Sequence, residues 1–185
     1  MSDHFFVVTG GPGAGKTSLI TELARRGFHT IPESGRAIIR EEVARGGDAL
    51  PWADRLAYAE RMVERDLRAF KDAQALSGPV IFDRGVPDIV GYLGLCGLPV
   101  PSHVSAAARA VRYYAQVFLA PFWEEIFTQD AEHKQGRAEA KATCAMMRRT
   151  YAALGYELIE LPCAGITERA DFVVERLAAA SPGQR

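Results

Sequence analysis

Residues 5–27, FFVVTGGPGAGKTSLITELARRG, constrain the fold more than any other stretch of the chain. The apolar run FFVVT ends at glycines, and a helical pattern follows with Leu19, Ile20 and Leu23 on one face and Gly27 as its stop. A strand with no polar alternation is buried on both faces, which suits the middle of a parallel sheet. Between strand and helix, Gly10, Gly15, Lys16 and Thr17 fill every fixed position of GxxxxGK[ST]. Glycines let the backbone amides of so tight a loop turn inward around phosphate oxygens, and the new helix adds its positive end. Gly10, Gly11, Pro12, Gly13, Ala14, Gly15, Lys16, Thr17 and Ser18 are therefore the expected nucleotide-binding residues. Lys16 supplies a mobile cation and Thr17 a hydroxyl for Mg²⁺. Nothing in the loop distinguishes ATP from GTP.

The rest of the chain repeats the alternation of strand and helix. Short strands are expected at 28–31, in GPVIFDRG, in VFLA and in YELIELP. Helices are expected after PESGR, from Trp52 to Leu76, over 86–96, in SHVSAAARAVRYY, before the last strand, and in ITERADFVVERLAAA. Strands separated by helices give a three-layer α/β domain with right-handed crossovers. At 185 residues, 48% of them hydrophobic, the chain has enough material for one core, and residues 1–185 are read as one domain.

Composition removes several classes of function. Twenty-two Lys and Arg against 23 Asp and Glu give a net charge of −1, which makes no global case for a nucleic-acid partner. Cys96, Cys144 and Cys163 are widely spaced, as reduced core thiols are. Neither a membrane span nor a targeting segment is legible, and a cytoplasmic address is expected.

Four further groups carry chemistry. In VIFDRG, Asp83 stands at a strand tip on the edge where the phosphate loop lies. It can hold the metal through water or orient an acceptor, or merely cap the next helix. Arg84 beside it can steady a migrating phosphoryl group. Asp88 is read as a helix cap. Glu33, in TIPESGR, leaves the second strand towards the same crevice and can take a hydroxyl proton, or stabilise the helix that follows. Arg36 can line an acceptor pocket, whereas Arg40 faces solvent. Trp52 is expected to pack beneath a loop, and Tyr92, Arg109 and Arg112 are weaker candidates for the pocket wall. Residues 120–137 form a candidate lid in which Lys134, then Arg137, would neutralise phosphate charge. Arg148 or Arg149 can reach back from the next helix. No DxxG or NKxD motif marks a GTP-driven switch.

GGPGAGKTS, PESGRAIIREE, GDALPWADR, FDRGVPDIVGY, FTQDAEHKQ and ALGYELIELP together resemble the NadR/Ttd14-type AAA domain family, small P-loop proteins similar to nucleoside and nucleotide kinases. The resemblance runs over about residues 4–178. It implies a kinase-like sheet ordered 2-3-1-4-5. It also implies an acceptor-side carboxylate at Glu33, an Asp-Arg pair at Asp83 and Arg84, and a lid at 129–137. The expected activity is transfer of a phosphoryl group from ATP, with Mg²⁺, to a small hydroxyl-bearing, nucleoside-like metabolite. Nucleotide hydrolysis, or nucleotide-dependent binding with negligible turnover, is the alternative.

Overall fold

The computed structural model describes residues 3–127 and 136–180. Five parallel strands form one sheet in the order β2-β3-β1-β4-β5, the order implied by the resemblance. They are β1 (Phe5–Gly10), β2 (His29–Ile31), β3 (Val80–Asp83), β4 (Gln116–Ala120) and β5 (Glu157–Glu160). The helices are α1 (Lys16–Arg25), α2 (Ser34–Arg45), α3 (Arg55–Ala73), α4 (Val86–Leu95), α5 (Ser102–Ala110), α6 (Arg137–Ala153) and α7 (Ile166–Ala180). A single 3-10 turn occupies Glu124–Ile126.

Alternation along β1 builds two cores at once. Phe6 and Val8 face α1 and α7, where they meet Leu19, Leu23, Val173 and Leu177. Phe5 and Val7 face the opposite layer, with Phe82, Tyr113, Tyr151 and Tyr156. Each residue of β1 is buried, as a central strand requires. A third cluster joins α2, α3, α4 and α5 through Ile38, Tyr58, Met62, Ile89, Leu93 and Val104. Its Tyr58 and Met62 pack against Gly35, two residues after Glu33, so it forms a wall beside that carboxylate.

Local signals set the element ends. Gly27, at φ +93°, closes α1, with Phe28 N–H donating to the Leu23 carbonyl at 3.2 Å. Gly46, at φ +69°, closes α2. Asp54 caps α3 by accepting from Ala57 N–H at 2.9 Å. That helix starts after Trp52, which lies in the preceding turn and is 61% exposed rather than packed beneath a loop. Ala49 and Leu50 are the buried residues there. Among the cysteines Cys144 is buried, Cys96 half-buried and Cys163 exposed, so only Cys144 matches a core thiol. Among the described residues no helix is long and apolar enough to cross a membrane.

Two registers place the site. Val8 lies beside Asp83 and Gly10 beside Ala120. The chain reverses its direction of strand addition on either side of β1, so the crevice opens at the carboxyl edge between β1 and β3.

Candidate active site

The phosphate loop is shaped by three glycines with positive φ: Gly10 at +137°, Gly13 at +68° and Gly15 at +73°. Close approach adds a second constraint. A Cβ on Gly10 would overlap the Ala120 carbonyl, and one on Gly11 would lie 2.5 Å from the Ala140 carbonyl of α6. The loop therefore passes directly over the tip of β4 and under α6, where no side chain fits. Gly15 is the residue before α1, and no side chain caps that helix. The amides of its first turn are thus left to an anion. Thr17 and Ser18 are exposed on this turn.

Lys16 is 7% exposed and donates through Nζ to the Gly11 carbonyl at 2.6 Å. Burial, with Arg84 nearby, pulls its ammonium down to about 8, although Asp83, Glu33 and Asp88 oppose the shift. Asp83 moves the other way. Burial and the neighbouring Glu33 push its carboxyl up to about 6, against the pull of Lys16 and Arg84. Its Oδ1 is buried with no hydrogen-bond partner among the described residues. An orphaned carboxylate oxygen beside a phosphate loop is the donor a hard cation takes.

Arg84 ties the two sides of the crevice together. Its Nε donates to Glu33 Oε1 at 3.0 Å, and its Nη1 donates to the Gly10 carbonyl and to Asp88 Oδ1, each at 3.0 Å. Burial works against its charge, but Glu33, Asp88 and Asp83 outweigh that effect and hold the guanidinium above the ordinary arginine range. Its backbone sits at φ +72°, the one left-handed residue other than glycine among those described. Such a conformation costs about 1–3 kcal/mol and persists only where its surroundings enforce it. Here Arg84 N–H donates to the Val8 carbonyl at 3.0 Å, and the side chain is fixed at three points. Glu33 directly precedes α2 and also accepts from Arg36 Nε at 3.3 Å.

Asp88 does more than cap α4. Its Oδ2 accepts from Gly85 N–H at 3.0 Å, as a cap does, and from Tyr151 Oη of α6 at 2.6 Å. Its Oδ1 accepts from Thr9 Oγ1 at 2.5 Å as well as from Arg84. One buried carboxylate thus joins β1, α4, α6 and the strained arginine. Sequence spacing revealed the cap, but Thr9 and Tyr151 carried no signal. Asp66 of α3 was also missed. Burial and the charges of Asp88 and Glu33 push its carboxyl up to about 7, against a hydrogen bond from Ser34.

Other expected residues lie elsewhere. Arg137 is the first residue of α6 and pairs with Glu124 at 2.7 Å. Arg148 does not reach back to the phosphate loop but pairs with Glu160 of β5. Arg149 and Arg109 line a groove of about 380 Å³ between α4, α5 and α6. Arg112 donates to the Leu154 carbonyl at 2.9 Å and lies 4.3 Å above the Tyr156 ring, so it braces the lower core and not the pocket. Arg40 is exposed. Tyr92 packs edge-to-face with Tyr58 at 5.5 Å in the wall beside Glu33. Lys134, like residues 128–135 as a whole, lies outside the described residues.

The phosphate loop at the β1 tip, the parallel sheet and its strand order define a protein of the P-loop kinase fold. The AAA domain family model matches residues 5–169, and the chain belongs to that family. Among curated proteins, a "Probable thymidylate kinase" of Pyrobaculum calidifontis is 34% identical over 102 residues, 52% of this chain. The match covers 53% of that protein, so the chain spans about half the length of the curated relative it matches. Among solved structures, the NadR protein in complex with NR superposes with a TM-score of 0.70 at 17% identity, over 97% of this chain and 52% of that one. Thymidylate kinase from Candida albicans gives 0.67 at 10% identity, over 95% and 91%. At these identities the structural matches establish the fold.

Proposed function

We propose that this protein is an ATP-dependent phosphotransferase whose acceptor is a small, hydroxyl-bearing, nucleoside-like metabolite. One observation carries this reading: the Arg84 guanidinium bridges Glu33 and the Gly10 carbonyl, at 3.0 Å each. A water-splitting enzyme requires no arginine strung between its phosphate loop and a carboxylate on the far wall. A transferase must hold an acceptor hydroxyl in line with the donor phosphate, and such a bridge fixes both walls at one distance. The nucleoside-like class is favoured by the partial relationship to a protein named a thymidylate kinase and by the likeness in fold to NadR bound to NR.

In this reading the loop amides and Lys16 bind the donor phosphates. Glu33 orients the acceptor hydroxyl and receives its proton, and Arg84 offsets charge on the transferring oxygens. Mg²⁺ would be held by the Thr17 hydroxyl and by Asp83, directly or through water, and would neutralise the donor phosphates. The orphaned Asp83 Oδ1 fits that role. No group of three or more His, Cys, Asp or Glu able to hold a metal exists among the described residues. That suits a cation that takes one or two protein ligands and completes its shell with phosphate and water. Lys134 and Arg137 are the proposed lid cations.

The test is a transfer screen in which ATP or GTP is combined with nucleosides, nucleotides, vitamins and other small alcohols. Acceptor-dependent ADP release with a phosphorylated product is the expected result, and K16A abolishes it. ADP release at the same rate with and without every acceptor would overturn the reading in favour of a hydrolase.

A further inference from the structure

Arg169, in the first turn of α7, stands under the phosphate loop in an environment that disfavours its charge. It is 2% exposed. Its Nη1 donates to the Ala14 carbonyl at 3.0 Å, yet its Nε is buried without a hydrogen-bond partner, and it makes no ion pair among the described residues. The same Nη1 lies 2.8 Å from where a Cβ of Gly15 would stand, so the guanidinium is packed against the residue that opens α1. It is thus a buried cation at the positive end of a helix, and the loop next to it already holds Lys16. Burial lowers its affinity for the proton, and only Cys163, on the β5–α7 connection, opposes that effect.

Two general facts make this arrangement informative. A buried charge without a partner is strongly destabilising, and a cation at a helix amino terminus is repelled by the dipole. The repulsion vanishes only if an anion of higher charge occupies the loop. We propose that Arg169 is a donor-side positioning residue, whose charge is answered by the polyphosphate of the bound nucleotide and whose Nη1 holds the Ala14–Gly15 peptide with its amide turned towards that polyphosphate. This inference rests on the phosphotransferase reading. It assigns to α7, a helix carrying none of the loop motif, a share in binding ATP and ADP alike. Arg169 does not touch the acceptor wall, so its influence is confined to the donor.

Two substitutions test the arginine. R169K keeps a cation, whereas R169Q removes the charge and ends two bonds short of Nη1, so it also gives up the bond to the Ala14 carbonyl. Calorimetric titration with ADP and with inorganic tripolyphosphate is expected to show Kd raised about tenfold or more in R169Q and within about threefold of wild type in R169K. In the transfer assay, the KM for ATP rises in R169Q while the acceptor KM and the kcat at saturating ATP hold. The unliganded Tm does not fall, an outcome a purely structural arginine would not give. Wild-type protein supplies a test independent of either variant. Amide hydrogen exchange across residues 163–172 slows with ADP and not with adenosine. Wild-type Kd for ADP in R169Q, or equal protection by ADP and adenosine, would overturn the inference alone. Failure of the wild-type protein to bind ADP or tripolyphosphate would overturn the inference and the phosphotransferase reading together.

Discussion

Replacing Asp88 by Asn tests whether one buried carboxylate holds the crevice in shape. The carboxylate accepts four hydrogen bonds, from Thr9 Oγ1 and Arg84 Nη1 on one oxygen and from Tyr151 Oη and Gly85 N–H on the other. An amide of the same size has one accepting oxygen. If that oxygen faces Thr9 and Arg84, the amide nitrogen faces two donors. Tyr151 can rotate its hydroxyl to accept, but Gly85 N–H cannot, and it is left buried without a partner. That orphan costs about 1–3 kcal/mol, and the loss of the charged acceptor for Arg84 and Thr9 adds about as much again. The sum, about 2–6 kcal/mol, brackets the about 3–5 kcal/mol typical of breaking a buried ion pair by removing one partner. With a urea m-value of about 2 kcal/mol/M, the unfolding midpoint falls by about 1–3 M. Y151F removes one hydroxyl and costs about 1 kcal/mol, and in the D88N background its added cost is smaller because the original bond is already lost. Urea titration of the four proteins at neutral pH measures all of these values. A D88N protein within 1 kcal/mol of wild type, or strict additivity with Y151F, would refute the reasoning.

Three other outcomes follow from the site. The kcat/KM for ATP should be bell-shaped in pH. Asp83, raised to about 6, must be ionised to hold metal, so activity falls as pH drops through 6; Lys16, lowered to about 8, must be protonated, so activity falls as pH rises through 8. A flat profile from 5 to 9 would remove both groups from donor binding. G10A should lose about 2 kcal/mol or more and all measurable ATP binding, because φ +137° is strained for alanine and its Cβ meets the Ala120 carbonyl; thermal unfolding and calorimetry read both effects. E33Q should lower kcat about a hundredfold or more while the KM for ATP stays within about threefold, and unchanged turnover would relegate Glu33 to fixing Arg84.

What could be read from the sequence followed the reach of each interaction. The loop, its strand and its helix are contiguous, so their pattern was complete before any tertiary contact was known. Strand order followed from family resemblance, and the registers beside Val8 and Gly10 then brought Asp83 and Ala120 to the loop. The cap at Asp88 was legible because it acts over three residues, but its bond to Tyr151 spans 63. The bond from Arg169 to Ala14 spans 155, and no periodicity in α7 hinted at it. Trp52 was misjudged because a large aromatic usually packs inward, whereas here Ala49 and Leu50 take the buried positions and leave the indole outside. Arg148 was misjudged because the sequence could not show that Glu160 of β5 would partner it.

The position of β1 in the sheet divides the molecule along its length. On the Glu33 side of the loop, β2, α2, α3, β3, α4 and α5 come from residues 29–110, whereas β4, β5 and α7 on the other side follow later in the chain. Under the proposed reading, a contiguous graft of that earlier block from a relative with the same Asp-Arg pair at the tip of β3 would exchange preference for the molecule being phosphorylated and leave ATP handling intact. A lineage can therefore acquire new substrates through changes concentrated in one stretch of gene, without disturbing the half that handles the common currency.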